Sequence, residues 1–208
     1  VLGALMGMLM PSVGMIREKA QRMVSANKLR QVGLAVATYT HLTGESLKAS
    51  SLPEWMARLA AETQLVEEEV YFFAEDPLVR ALEDPLPVVV AEPAGGGDWR
   101  PVPGLAELPV GLAVASGLDP FAPPSTTPVA WTRGLTTSGQ WMDHGHARSG
   151  VYGDEGGFIV FLDGHVRFFR DLSRNGGQLI SVDGTPTADI RDSLGPGVKA
   201  YDYRGQLF

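Results

Sequence analysis

The first sixteen residues, 1–16, carry no charge and hold four of the seven methionines. They run straight into a basic stretch, RxKxxRM, between Arg17 and Met23. An uncharged segment of this length has few folded destinations: lipid, the centre of an assembly, or the interior of its own domain. A helix that crosses a bilayer needs roughly twenty apolar residues. Residues 1–16 fall a little short of that, even with Pro11, Ser12 and three glycines tolerated as membrane helices tolerate them. A secretion signal would carry a basic segment before its apolar run. The expectation is therefore that the numbered chain starts inside a longer apolar helix, with an apolar core helix of a soluble domain as the alternative.

Charge is placed unevenly. Residues 17–30 hold five basic side chains and one acid, whereas the whole chain has a net charge of −7. A basic collar after an apolar helix suits lipid headgroups or the acidic surface of a neighbouring subunit, and is equally compatible with a solvated helix surface. Nucleic acid is not an expected partner, because an acidic domain repels phosphate and no interleaving of aromatic and basic residues occurs. The chain has no cysteine, which excludes a disulfide scaffold and thiol chemistry and leaves the redox compartment open.

The helix is expected to continue to about His41, with Glu18 and Arg22 as an i,i+4 pair and Gly44 at its end. Leu29, Val32, Val36 and Tyr39 fall on one side, and Ile16, Ala20 and Met23 on nearly the opposite one. The late stripe is expected to dock on the chain's own globular part, leaving the early stripe for membrane or other copies. The division is thus residues 1–44 as a long helix and 45–208 as a globular head.

A second helix is expected over 52–62, capped by Ser51, with Pro53 in its first turn and Glu54 placed for a capping box. VYFFA (70–74) and PVVVA (87–91) read as short strands. Residues 92–98 read as a glycine-rich loop without a phosphate-binding pattern, and 101–128 as an irregular stretch with one strand near 112–115. The clearest strand signal is FIVFL (158–162), Asp163-Gly164, then HVRFFR (165–170), which predicts a hairpin with a two-residue primed turn. QLISV (178–182) is a further candidate strand. Trp55 is expected to anchor the second helix to the sheet, and Trp131 and Trp141 are read as core residues or subunit contacts. The fold class is α+β: a long N-terminal helix on a small antiparallel sheet with irregular Gly/Pro-rich loops.

The segment MPSVGMIREKAQRMVSANKLRQVGLAVATYTHLTGE (10–45) resembles the early mature region of type IV pilin-like and type II secretion pseudopilin-like proteins of the Planctomycetes and Verrucomicrobia. Pro11, Arg17, Lys19, Ala20, Arg22, Asn27, Leu29, Arg30, Gln31, Gly33, Leu34 and Ala35 match by position. YFFAEDP, VAWTRGL (129–135) and GGFIVFLDGHVRFF (156–169), with its Asp-Gly-His turn, also look like this group. Lys28 stands where a second asparagine is usual, Ser25 where many relatives have cysteine, and Phe158 where asparagine often precedes the hairpin strand. The group's processing site and early glutamate would lie upstream of residue 1.

The resemblance implies a pilin-like subunit stored in the inner membrane and polymerised by pilus or secretion machinery into a homopolymer at the cell surface or in the periplasm. Assembly would rest on Leu2, Leu5, Met6, Leu9 and Met10, guided by Arg17, Lys19 and Arg22. The alternative is a membrane-anchored extracellular binding module that stays monomeric.

Catalysis is not expected. DHGH (143–146) puts His144 and His146 on one side of an extended chain, yet there is no H-E-x-x-H, C-x-x-C or nucleophile elbow. No cofactor is expected beyond a structural calcium, which the resemblance suggests and for which Asp143, Asp154, Glu155 and Asp163 are the weak candidates. No twelve-residue calcium loop is visible, and solvated acids are the plainer reading.

Overall fold

The computed structural model describes the backbone of residues 2–145 and 148–208, and the side chains of all of these from Glu18 onward. In chain order, helices are α1 (Leu2–Thr43), α2 (Leu52–Thr63), α3 (Glu68–Tyr71), α4 (Pro77–Arg80) and α5 (Ile190–Leu194). Strands are β1 (Ala91–Gly95), β2 (Asp98–Pro101), β3 (Leu112–Ser116), β4 (Pro128–Thr132), β5 (Gly157–Phe161), β6 (Val166–Phe169), β7 (Leu179–Ile180), β8 (Pro186–Thr187), β9 (Lys199–Asp202) and β10 (Gly205–Gln206).

The main sheet is antiparallel and six-stranded, in the order β10-β9-β3-β4-β5-β6, and α1 packs on it. The class is α+β. Cross-strand partners Val114, Ala130, Val160 and Val166 form one row on the helix side of the sheet. Alternation turns Ala113, Trp131 and Ile159 to the other side. Every residue of β3, β4 and β5 is buried, so both faces are covered; α5 contributes to that cover at β4. Continuous apolar strands such as LAVAS and GFIVF are what a two-sided cover requires.

α1 ends two residues beyond expectation, at Thr43, where Gly44 takes a left-handed φ of 69° and its N–H donates to Thr40 O at 2.9 Å. α2 begins as predicted: Ser51 Oγ accepts the Glu54 N–H at 3.3 Å. The reciprocal half differs, since Glu54 accepts from the backbone N–H of Ser50 at 2.8 Å, one residue further back than a capping box. Its carboxyl lies below the usual range because of the Ser50 hydroxyl and N–H, followed by Arg58. Trp55 anchors the helix as expected, its indole N–H donating to Ala115 O at 3.0 Å.

Four sequence expectations are corrected. VYFFA is not a strand: Val70 and Tyr71 lie in α3, and Phe72, with extended backbone, and Phe73 follow it as buried residues. A run of buried apolar residues has no period by which to separate helix from strand. PVVVA contributes only an isolated bridge, Val89 to Glu67, before β1 begins at Ala91. The glycine-rich segment 92–98 is the β1–β2 hairpin, with Arg100 paired to its cross-strand partner Glu92 at 2.8 Å. Within 178–182 only β7 forms, paired with β8 in a separate two-stranded ribbon.

The β5–β6 connection is also longer than the two-residue primed turn expected. Phe161 N–H donates to His165 O and Gly164 N–H to Phe161 O, so residues 162–164 form the loop. Gly164 has φ 81° while Asp163 stays out of the positive-φ region, which fits a three-residue turn closed by a left-handed glycine.

Candidate assembly surface along the N-terminal helix

From Glu18 onward α1 has two unlike sides. Ser25, Leu29, Val32, Ala35 and Val36 are buried against the head. The opposite side carries Ala20, Asn27, Arg30 and Gln31 with three large exposed apolar residues, Met23 (68%), Val24 (54%) and Leu42 (60%), while Leu34 is half exposed and borders the head. The late stripe docks as the periodicity predicts, and Met23 of the early stripe faces outward. Exposed apolar residues scattered singly are ordinary, but here they follow one helix face for five turns or so.

Three contacts fix the helix on the head. Near the first of its described side chains, Arg22 pairs with Glu18 at 2.6 Å and with Glu155, which sits in the short 3-10 turn before β5. Its guanidinium also lies over Phe168 and Tyr152, 5.0 and 5.7 Å from the ring centroids. One turn further on, Ser25 Oγ donates to Glu75 at 3.4 Å and Lys28 Nζ donates to Phe72 O at 3.1 Å. Burial pushes the Lys28 ammonium below its ordinary value, against the pull of Glu75, Glu69 and Glu68.

The third contact is the Asp-Gly-His turn. A β carbon placed on Gly33 would stand 2.4 Å from Val160 Cγ2 and 3.3 Å from Gly164 Cα, so the helix approaches the β5–β6 hairpin as closely as a glycine allows. Leu34, next along the helix, lies against Gly164. The turn itself is braced by Asp163, which accepts the His165 N–H at 3.0 Å and meets His165 Nδ1 at 2.5 Å, while the imidazole stacks on Phe161. Desolvation opposes ionisation of Asp163, but the His165 N–H and ring outweigh it and hold its carboxyl below the usual range. Asp163, Gly164 and His165 are therefore parts of a turn that supports the helix.

Of the sequence-predicted assembly residues, Leu2, Leu5, Met6, Leu9, Met10 and Arg17 lie outside the residues whose side chains are described. Lys19 is exposed and lines a groove with head residues, and Arg22 faces the head. The calcium candidates are not brought together. Asp143 is exposed and accepts the His144 N–H at 2.6 Å. Asp154 and Glu155 line a groove with Glu18 and Asp171, but Lys19, Arg22, Arg170 and Arg174 line it too and balance those acids, so it has no net negative charge to attract a divalent cation. Asp163 is committed to His165. Among the described residues no group of three or more His, Asp and Glu could hold a metal ion. His146 of the DHGH segment lies outside the described residues. Trp131 and Trp141, 1% and 5% exposed, belong to the core and offer no contact surface.

One constellation was not foreseen. Arg133 and Asp76, 57 residues apart, form an ion pair at 2.8 Å with neither side chain exposed to solvent. Arg133 also donates to Ser149 O, Pro109 O and Val110 O, tying the loops at one end of the sheet together. Asp76 in turn caps α4 through the Leu78 N–H at 3.0 Å. The available signal was an arginine directly after the largely apolar PVAWT strand, since a charge in a buried run requires a partner.

Among the described residues, no helix is long and apolar enough to cross a membrane. Compared with family models, curated proteins and solved structures, the chain matches none.

Proposed function

We propose that this chain is a noncatalytic structural subunit of a type IV pilus-like filament or secretion pseudopilus. Its pilin-like architecture, a long N-terminal helix packed on an antiparallel sheet, supports the reading. The observation that carries it is the two-sided helix, which is held by the head along one face and presents Met23, Val24 and Leu42 on the other. In the assembled state that outer face and residues 2–10 pack against the same helix of other copies. The polymer is open, because one face meeting a different face of the next copy propagates a helix. The subunit waits in the inner membrane, is extracted by pilus or secretion machinery, and ends at the cell surface or in the periplasm.

Covering Met23 between copies removes most of its exposed apolar area from water, worth about 1–2 kcal/mol per contact. Met23→Glu replaces that gain with the desolvation of a charge, yet it alters nothing the head packs against. The expected result is an unfolding free energy within about 0.5 kcal/mol of the parent, as for ordinary surface changes, together with filaments that are shortened or lost in electron micrographs. Leu5→Glu should act the same way. Filaments of normal length from both variants would rule out this helix face as the assembly contact.

A further inference from the structure

Between the last turns of α1 and the loop that leads into β4 lies an open groove of about 580 Å³, room for several leucine or methionine side chains. Ala37, Thr40 and His41 form its helix wall, Pro120 and Phe121 stand on the loop side, and Leu162 of the β5–β6 turn also lines it. No aspartate, glutamate, lysine or arginine lines it. Phe121 is 93% exposed, more than any other large apolar side chain among the described residues. Its loop is nevertheless braced. Asp119 Oδ1 accepts the Phe121 N–H at 2.9 Å, Asp119 O accepts the Ala122 N–H at 3.0 Å, and Pro124 O accepts the Asp163 N–H at 3.0 Å. Pro120, Pro123 and Pro124 fix the backbone further. An aromatic ring held out in water by an ordered loop adds nothing to the head core, but it meets a partner with little ordering left to do.

Charge selects the occupant. An uncharged groove disfavours any segment whose charges it would strip of water without offering a partner. The longest uncharged run of the chain is 1–16, which supplies Leu2, Leu5, Met6, Leu9 and Met10. The next two in length, 31–44 and 120–132, build the groove itself and β4. The 1–16 run cannot reach the groove of its own copy, because both belong to one continuous helix. At about 1.5 Å of rise per residue, Leu9 and Thr40 stand about 45 Å apart along α1.

We infer that this groove receives residues 2–10 of a second copy of the chain, with Phe121 against the incoming helix. The inference rests on the filament reading and adds to it a receiving site that includes the head. It also sets the stagger of the contact: two parallel copies joined this way are offset by about 45 Å along the axis.

The chain has no cysteine, so introduced thiols report only on each other. Phe121→Cys is combined in turn with Leu5→Cys, Met6→Cys and Leu9→Cys in the full chain, filaments are assembled by the native machinery and oxidised mildly, and the products are separated without reductant. At least one pair should give a ladder of disulfide-linked oligomers, because two cysteines are bridged only where their Cα atoms come within about 7 Å. Val88→Cys, at a position 79% exposed and outside the groove, should give none with the same three partners. Filaments in which no Phe121→Cys pair cross-links, or in which Val88→Cys cross-links equally, would overturn the groove and leave the filament reading standing. A parent chain that forms no filaments would remove that reading, and the groove with it. Should the paired variants fail to assemble, Phe121→Ser decides: filaments shortened or lost at an unchanged urea midpoint support the groove, and filaments of normal length remove it.

Discussion

Gly33→Ala tests whether α1 sits on the β5–β6 hairpin as described. In an isolated helix the change would stabilise by about 1 kcal/mol, the difference in helix propensity. Here the added carbon would lie 2.4 Å from Val160 Cγ2 and 3.3 Å from Gly164 Cα, against an optimal carbon–carbon separation of about 3.5–4.0 Å. Val160 is fully buried, β-branched and in the middle of β5, so its methyl cannot swing clear without a rotamer penalty. Overpacking of this kind costs about 1–3 kcal/mol, and after the propensity gain the net destabilisation is about 0–2 kcal/mol. The decisive comparison is the same substitution beside Val160→Ala, where the obstructing methyl is gone. Urea unfolding followed by far-ultraviolet circular dichroism should then show Gly33→Ala as stabilising. The coupling energy between the two sites should be about 1–3 kcal/mol, as for residues in contact. A gain of about 1 kcal/mol from Gly33→Ala in both backgrounds would refute the close approach, and with it the docking of the helix.

Two further outcomes follow from the head. Arg133→Met leaves Asp76 buried without its cation and should cost about 3–5 kcal/mol in urea unfolding, whereas a loss below about 1 kcal/mol would mean that the pair is hydrated. The depressed carboxyl of Asp163 contributes stability that is fully present above the unfolded aspartate value of about 3.9. That contribution is lost as pH falls through the lower folded value. The thermal midpoint of the parent should therefore exceed that of Asp163→Asn by a constant margin above about pH 5, and the margin should shrink below about pH 4; a margin unchanged to pH 2 would contradict the bracing role of the turn.

What was legible in the sequence is what local patterning encodes. Ser51 before Leu-Pro-Glu, Gly44 after an apolar-periodic run, and the stripe of Leu29, Val32 and Val36 each announce themselves within a few residues, and each is found in place. FIVF (158–161) and VRFF (166–169) are strands because β-branched and aromatic residues flank a turn, yet the turn type was misread. Asp-Gly favours a two-residue primed loop, and only the helix resting on Gly164 shows why a three-residue loop fits here. The run Val70 to Phe73 failed for lack of any period, and the three glycines of 95–97 hid a hairpin because glycine marks turns and weakens strands alike.

The candidate surface was legible to a similar depth. Periodicity told the two sides of α1 apart, but it gave no direction to Arg22, whose partners Glu155, Tyr152 and Phe168 are far away in sequence. The close approach at Gly33 was not read from the sequence, because a glycine within a helix does not name what comes near it. Arg133 and Asp76 stand in segments with no shared pattern, and only the fold brings them together.

The central claim is that the outer face of α1 packs against a different face of the same helix in neighbouring copies, and imaging of the full-length native protein by electron microscopy tests it most directly. The account predicts regular helical filaments wider than one head, with the N-terminal helices bundled along a common axis and Met23 facing a neighbouring copy. Particles that stay dispersed in mild detergent, with the assembly machinery present, would contradict it.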